Sequence, residues 1–447
     1  MKSLAACRPG ILLVCLAILD NAALADDNLE FHGYLRSGMG ASGTYDQQCF
    51  ANTGFKFRLG NECETYLETT FVKKFQGEPG GEKPWSKGTI TFAWSVPGHG
   101  DWEGHENSIQ QDENGEPILQ TGGLANALRE AWVGIGGLTP GKSELWAGKR
   151  FYRRKNVDMI DYYYLANTGP GVGISNLPAP TGHLHAAWFR RISGSGQVRQ
   201  NLDLRWTDLP CGGGQCSAAL IWSTSGSRAA DGTRPFAPLQ GRHLSLTHES
   251  GGNRLVLQLG DGLFGPGPGD RGPAHHLSDF GPPGVTRSST AADDRKKARA
   301  IRLIETWHHH GPNLSAGLLL MIDRLHFGGA RDNQDRRIPD VHRTTLGARP
   351  VWHFSRGFNL ALEAGMVHVE KKYGLVTDAD KARDSTLTKL TLAPTWAVDT
   401  GYWGRPQIRL FATAAQWSDA DKEAGIGNAA FTGRQGYAVG SQVEVWF

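Results

Sequence analysis

Ser441-Gln442-Val443-Glu444-Val445-Trp446-Phe447 closes the chain as an alternating segment that stops on an aromatic ring. Period two puts Val443, Val445 and Phe447 on one face of a strand and Gln442, Glu444 and Trp446 on the other. An apolar face toward lipid and a polar face toward a water-filled lumen is the arrangement of a membrane-barrel strand. A tryptophan sharing the wet face with a glutamate suits a flat ligand with a polar rim, such as a sugar.

The other end fits this reading. Lys2 and Arg8, the apolar run 11–19 and Ala23-Leu24-Ala25 follow the charged, apolar, small-residue order of a secretory signal, which predicts a signal peptide over 1–25 and a single barrel domain over 26–447. Beyond it, the longest apolar run, 316–322, is far short of the about 18 residues that a membrane helix needs. A chain that crosses a bilayer without such a helix crosses it with strands.

Composition agrees. The 47 Lys and Arg and 44 Asp and Glu become 45 and 43 once Lys2, Arg8 and Asp20 leave with the signal, so no nucleic-acid partner is implied. The hydrophobic fraction is 39%, low for a globular domain, and there are 59 glycines, as when half of every strand faces water. With Cys7 and Cys15 in the signal, four cysteines remain as two close pairs, Cys49 with Cys63 and Cys211 with Cys216, and export favours a disulfide within each. Neither pair has zinc-ribbon spacing, and His308-His309-His310 lacks a partner ligand, so no metal or cofactor is expected and the histidines read as loop surface.

Alternating segments recur between turns rich in Gly, Pro, Asp and Asn. Residues 31–39 place Phe31, Leu35 and Met39 outward and His32, Tyr34 and Arg36 inward; 55–59 read as a further strand with Lys56 and Arg58 inward; 64–71 turn Glu64, Tyr66, Glu68 and Thr70 inward. Twelve later segments read as strands, from 131–136 to 407–417. The long insertions within 75–125 and 264–298 suit a barrel rim better than a compact soluble domain.

Several stretches then carry a resemblance: Phe31-His32-Gly33-Tyr34, Gln47-Gln48-Cys49-Phe50, Arg58-Leu59-Gly60-Asn61-Glu62-Cys63-Glu64-Thr65-Tyr66, Trp146-Ala147-Gly148-Lys149-Arg150-Phe151-Tyr152, Met159-Ile160-Asp161 with Tyr163, Arg405-Pro406, and the closing Glu444-Val445-Trp446. In these the chain resembles the maltoporins, sugar-specific trimeric porins of Gram-negative outer membranes. The resemblance implies an all-β antiparallel barrel of about 18 strands, a homotrimer, and a third loop folded into each channel. It also implies an aromatic slide for maltose and maltodextrins, here Tyr34, Tyr66, Phe354 and Trp446, with Trp102 supplied by a neighbouring subunit. The flanking polar track would be Arg36, Arg58, Glu68, Arg129, Arg154 and Asp161, with Tyr163 at the constriction.

Apolar ring faces stack on the C–H faces of sugars while charged side chains pair with hydroxyls, so this set is chemically coherent. Parity supports Tyr34, Tyr66, Trp446, Arg36, Arg58 and Glu68. It turns Phe354 outward unless a bulge lies near Pro350, and it puts Arg129 out of phase, predicting a strand end there. A further slide position aligns with Leu255, where the ring is absent, and the Cys49–Cys63 loop reads as a braced surface loop. A sucrose or broad carbohydrate porin is the nearest alternative. An outer-membrane enzyme is disfavoured because no Gly-x-Ser-x-Gly elbow occurs. A surface or phage receptor role for the exposed loops stays open.

Overall fold

The computed structural model describes residues 28–447 except 44–47, 53–54, 82, 98–107, 112–116, 121–124, 139–141, 193–196, 230–237, 267–295, 330–336, 356, 373–382, 400, 424 and 428–429. The signal segment, Trp102 and most of the 264–298 insertion lie outside the described residues.

The first strands are β1 (Leu29–Ala41), β2 (Ala51–Asn52), β3 (Phe55–Lys56), β4 (Glu64–Gln76), β5 (Trp85–Pro97), β6 (Ser108–Gln111), β7 (Pro117–Gln120), β8 (Ala125–Gly136), β9 (Glu144–Val157), β10 (Tyr162–Pro178) and β11 (His183–Ile192). After them come β12 (Gln197–Cys211), β13 (Gly214–Ala229), β14 (Gln240–Ser250), β15 (Asn253–Asp261), β16 (Arg299–His310) and β17 (Leu314–His326). The chain finishes with β18 (Val341–Ser355), β19 (Phe358–Lys372), β20 (Arg383–Ala397), β21 (Gln407–Trp417) and β22 (Gln435–Trp446).

Eighteen of these form one antiparallel sheet, and β1 pairs with both β4 and β22, which closes the barrel. The pairs β2–β3 and β6–β7 are small hairpins inside the first two long loops. Closure leaves no unpaired edge, the condition for strands to span lipid. Short turns such as 212–213, 251–252 and 311–313 mark one rim and the long loops mark the other, which orients the short-turn rim toward the periplasm.

Alternation sorts the two faces. Leu202, Leu204 and Trp206 on β12, or Ile408 and Leu410 on β21, lie exposed on the outside, while Asn201, Asp203 and Arg205, or Gln407 and Arg409, are buried inside. The terminal strand follows its parity: Gln442 and Glu444 are buried, and the Phe447 ring lies on the outer face against Phe31, over Gly33, where a Cβ would strike it.

The lumen, however, is not uniformly wet. Along β13–β19 the inward side chains include Ile221, Val256, Ile304, Met321 and Val367, which build an apolar core with Phe55, Phe57, Val157, Met159, Ile160, Tyr162 and Tyr164 from two infolded loops. The segment 55–59 is therefore not a wall strand. It belongs to the Cys49–Cys63 loop, which dips into the barrel instead of bracing its surface.

Both disulfides are formed, Cys49–Cys63 at the base of that loop and Cys211–Cys216 across the tight β12–β13 turn. The histidine run also moves from its expected place: His308, His309 and His310 end β16 at the short-turn rim, with His309 stacked on Trp307.

Candidate functional site

The β9–β10 hairpin crosses the lumen. At Arg153 the backbone takes a positive φ of 46°, and at Asp161 one of 51°, closing a short 3-10 turn over 158–160. These bends carry the hairpin from the wall to β12–β18, where Gln258 Nε2 donates to the Tyr164 carbonyl at 2.8 Å, Arg205 Nη1 donates to the Arg153 carbonyl at 2.8 Å and Arg302 donates to the Tyr162 hydroxyl.

The first loop locks onto it through the Arg58 N–H, which donates to the Met159 carbonyl at 3.0 Å. Lys389 Nζ donates to the Phe57 carbonyl at 2.7 Å and to Glu363 at 3.0 Å. Met159 and Phe57 come so close to the inner wall that only glycine fits at Gly347 and Gly365.

What remains open lies along β1, β4 and β22. Tyr34 and Tyr66 are 6.2 Å apart by ring centroid, and Tyr34 pairs in register with Trp446. Arg405 stands 4.4 Å over the Trp446 ring, whose other surroundings leave it 41% exposed. Three rings thus stand side by side on three neighbouring strands.

Beside the rings runs a dense charge network. Arg36 Nη1 donates to Asp161 Oδ2 at 2.8 Å and its other arm to Glu64, while the guanidinium lies 5.0 Å over Tyr66. Arg58 bridges Glu62 at 2.8 Å, Asp158 at 2.8 Å and Glu444 at 2.7 Å, and donates to the Tyr34 hydroxyl. Lys56 reaches Glu62 at 2.6 Å, and Arg405 and Arg409 complete the shell of Glu444 at 2.6 and 3.2 Å.

Arg36, Lys56, Arg58, Arg405 and Arg409 thereby meet Glu62, Glu64, Asp158, Asp161 and Glu444, and Arg349, 3.7 Å from Asp158, joins this set to Glu363 and Lys389. The near balance of charge offsets the large cost that an unpaired buried charge would carry. Burial by itself would raise the Asp161 carboxyl, but the charges of Arg36, Arg58 and Lys56 outweigh it and hold the group below the usual aspartate range. Burial opposes the charge on Arg58 as well, yet Asp158, Glu444 and Glu62 keep it firmly protonated.

The remaining track residues come from β4, β8 and the hairpin. Tyr66 Oη donates to Glu68 at 2.7 Å, and Arg129 lies 3.8 Å from Glu68 and 4.8 Å over Phe151. Arg154 sits over both Phe151 and Tyr163, at 3.5 and 4.6 Å, and among the described residues it has no ion-pair partner. Arg129 is not at a strand end: the β5–β8 register slips between Thr91–Glu130 and Phe92–Leu128, so Arg129 is the extra residue of a bulge within β8.

Two expected slide positions point away from the lumen. Phe354 is 64% exposed and lies tilted against Phe358 at 6.1 Å, which meets Trp396, an aromatic group on the barrel's outside. The register break in this hairpin falls at Phe354 itself, between His353 and Ser355, rather than at Pro350, and leaves the ring on the outside. Leu255 lies outside as well, in line with Leu257 and Leu259, while Val256 and Gln258 point in.

An aromatic ring that the sequence reading passed over does face the lumen. Trp403, in the β20–β21 turn, packs on Tyr402 at 4.8 Å and lines a recess of about 500 Å³ with Asn156, Asp158, Glu249, Arg254 and His308. Its signal was present, since it stands two residues before the Arg405-Pro406 pair.

A closed barrel with an infolded, charged lumen and an apolar outer belt is a porin-type channel of the bacterial outer membrane. Residues 29–447 match the LamB porin family, and the chain belongs to that family. Solved porins cover it loosely. OccD3 (OpdP) of Pseudomonas aeruginosa is 10% identical over 94% of this chain and 91% of its own, with a TM-score of 0.47. OmpF of Salmonella typhi, solved with daunomycin, is 10% identical over 94% and 97%, with a TM-score of 0.45.

Proposed function

We propose that the channel passes maltose and maltodextrins by facilitated diffusion along Tyr34, Tyr66 and Trp446, with Trp403 in the place expected of Phe354. The observation that carries this reading is the row of rings on β1, β4 and β22, bordered by paired Arg and carboxylate side chains. Each ring takes the C–H face of a glucosyl unit while Arg36, Arg58, Glu68 and Asp161 trade their mutual hydrogen bonds for sugar hydroxyls. Because the network is nearly balanced in charge, such exchange leaves no net charge exposed. The protein works as a homotrimer whose Trp102 reaches a neighbour's mouth, and residues 1–25 are removed during export.

Ion current through single trimers, titrated with maltohexaose, sucrose and glucose, tests the reading. Saturable block strongest with maltohexaose supports it; equal block by sucrose favours a broader carbohydrate porin; no block at millimolar sugar reduces the protein to a general pore.

A further inference from the structure

The outer wall of β14–β19 carries charge where it approaches the long-loop rim. Arg242, Asp261 and Arg299 stand side by side on β14, β15 and β16, and Arg324 on β17 lies one diagonal step from Arg299, since Arg299 pairs with His326 and Arg324 with Ile301. Diagonal cross-strand neighbours are about 7 to 8 Å apart. The carboxylates nearby are already engaged: Asp261 with Arg242 at 2.7 Å, Asp340 with His326 at 2.9 Å and Glu370 with His342 at 3.2 Å. Arg299 and Arg324 are exposed and, among the described residues, have no ion-pair partner.

Below them the same wall is mostly apolar. Ile301 is 47% exposed and Ile322 follows on β17, and then a shallow groove of about 1180 Å³ opens, bordered by Leu318, Leu320 and Leu346 and floored partly by Ala348 and Ala364; Glu305, which accepts a hydrogen bond from Asn253 at 3.0 Å, and Thr388 also line it. Arg324 stands four residues above Leu320, roughly 13 Å along the strand. Two free guanidiniums above a groove with a small-residue floor match an ion with long apolar tails: the fork geometry of arginine suits a phosphate, and the groove suits acyl chains.

We propose that Arg299 and Arg324 form a binding site for a phosphate-bearing acylated lipid of the outward-facing leaflet, whose chains lie in the Leu318–Leu346 groove. The position follows from energetics. Arginine is costly on the lipid face at mid-membrane and nearly free at the headgroup level, so a pair retained at the rim with no ion-pair partner among the described residues is placed for an anionic headgroup.

The test uses the intact oligomer in nanodiscs of phosphatidylcholine doped with phosphatidic acid, released for native mass spectrometry. Wild type retains phosphatidic acid, and Arg299→Gln combined with Arg324→Gln weakens retention by roughly tenfold or more. Arg190→Gln, at an exposed position on β11 far from the patch, leaves it unchanged, and Ala364→Trp, which fills the groove, discriminates against long acyl chains. Excess inorganic phosphate does not strip the lipid.

No retention by wild type, or equal retention by the double variant, overturns the site. Complete displacement by inorganic phosphate overturns the lipid as its occupant. Loss of the oligomer in place of lipid makes the patch an interface between copies, which also refutes the proposal. A strand-type circular dichroism spectrum confirms that each variant has folded.

Discussion

Single side chains here are read by which face of a strand they occupy, and that sorts the aromatics into ligands and girdle. A ring stacked on a sugar contributes on the order of 1 kcal/mol beyond its buried area, so Trp446→Ala should weaken maltohexaose block by several-fold, and Trp403→Ala should do likewise. Phe354→Ala and Leu255→Phe should leave block unchanged, because both positions lie on the outside of the barrel. Current-block titration of the four variants checks this, and a loss at Phe354 would return it to the lumen. Arg154 is the track cation with no ion-pair partner among the described residues, so Arg154→Ala should move the reversal potential in a salt gradient toward cations. The family resemblance picked out Tyr34, Tyr66 and Trp446 in the sequence, and parity turned them inward. Arg129 defeated parity because a bulge shifts phase without any marker residue, and Trp403 escaped it because it sits in a turn.

The two infolded loops behave as one element, a plug pressed on the inner wall. Gly347→Val would force Met159 and Phe57 off that wall, and such overpacking costs about 1–3 kcal/mol. The expected outcome is a lower unfolding temperature together with noisier current, measured by calorimetry and single-channel recording. Acid should loosen the plug as well. The folded-state pKa of Asp161 lies below the unfolded value, so its ion pairs contribute stability that is complete above the ordinary aspartate range, about 3.9, and is lost as pH falls through the depressed value. Noise that rises only under strongly acid conditions would agree; a transition near neutrality would assign the effect to other groups. In the sequence, Phe55-Lys56-Phe57-Arg58-Leu59 alternates like any wall strand, and nothing local tells an infolded loop from a spanning segment.

At the scale of the molecule, closure by β1 with β22 joins the two chain ends into the wall that bears the slide. Hydrogen bonds between strands satisfy every spanning segment without a helix, so the purified protein should show strand-dominated circular dichroism and migrate as a heat-labile trimer. A heat-insensitive monomer would refute the trimer. Among the wall strands, β5, β10 and β11 escaped the sequence reading. Segment 85–97 lies within the long insertion read at 75–125, and the tyrosine-rich start of β10 alternates against buried protein rather than against lipid.

Export, strand-based spanning and the inward set on β1, β4 and β22 were determined by the sequence itself, because period-two alternation is a local property and the two solvents flanking those strands differ sharply in polarity. The apolar core inside the barrel, the eviction of Phe354 and Leu255 from the slide and the recruitment of Trp403 were decided only by the tertiary structure. Along β13–β19 the inner face meets the infolded loops instead of water, so both faces are apolar or mixed and alternation loses its contrast. Which ring reaches the lumen then depends on register breaks and turns, and those are settled when eighteen strands close on one another.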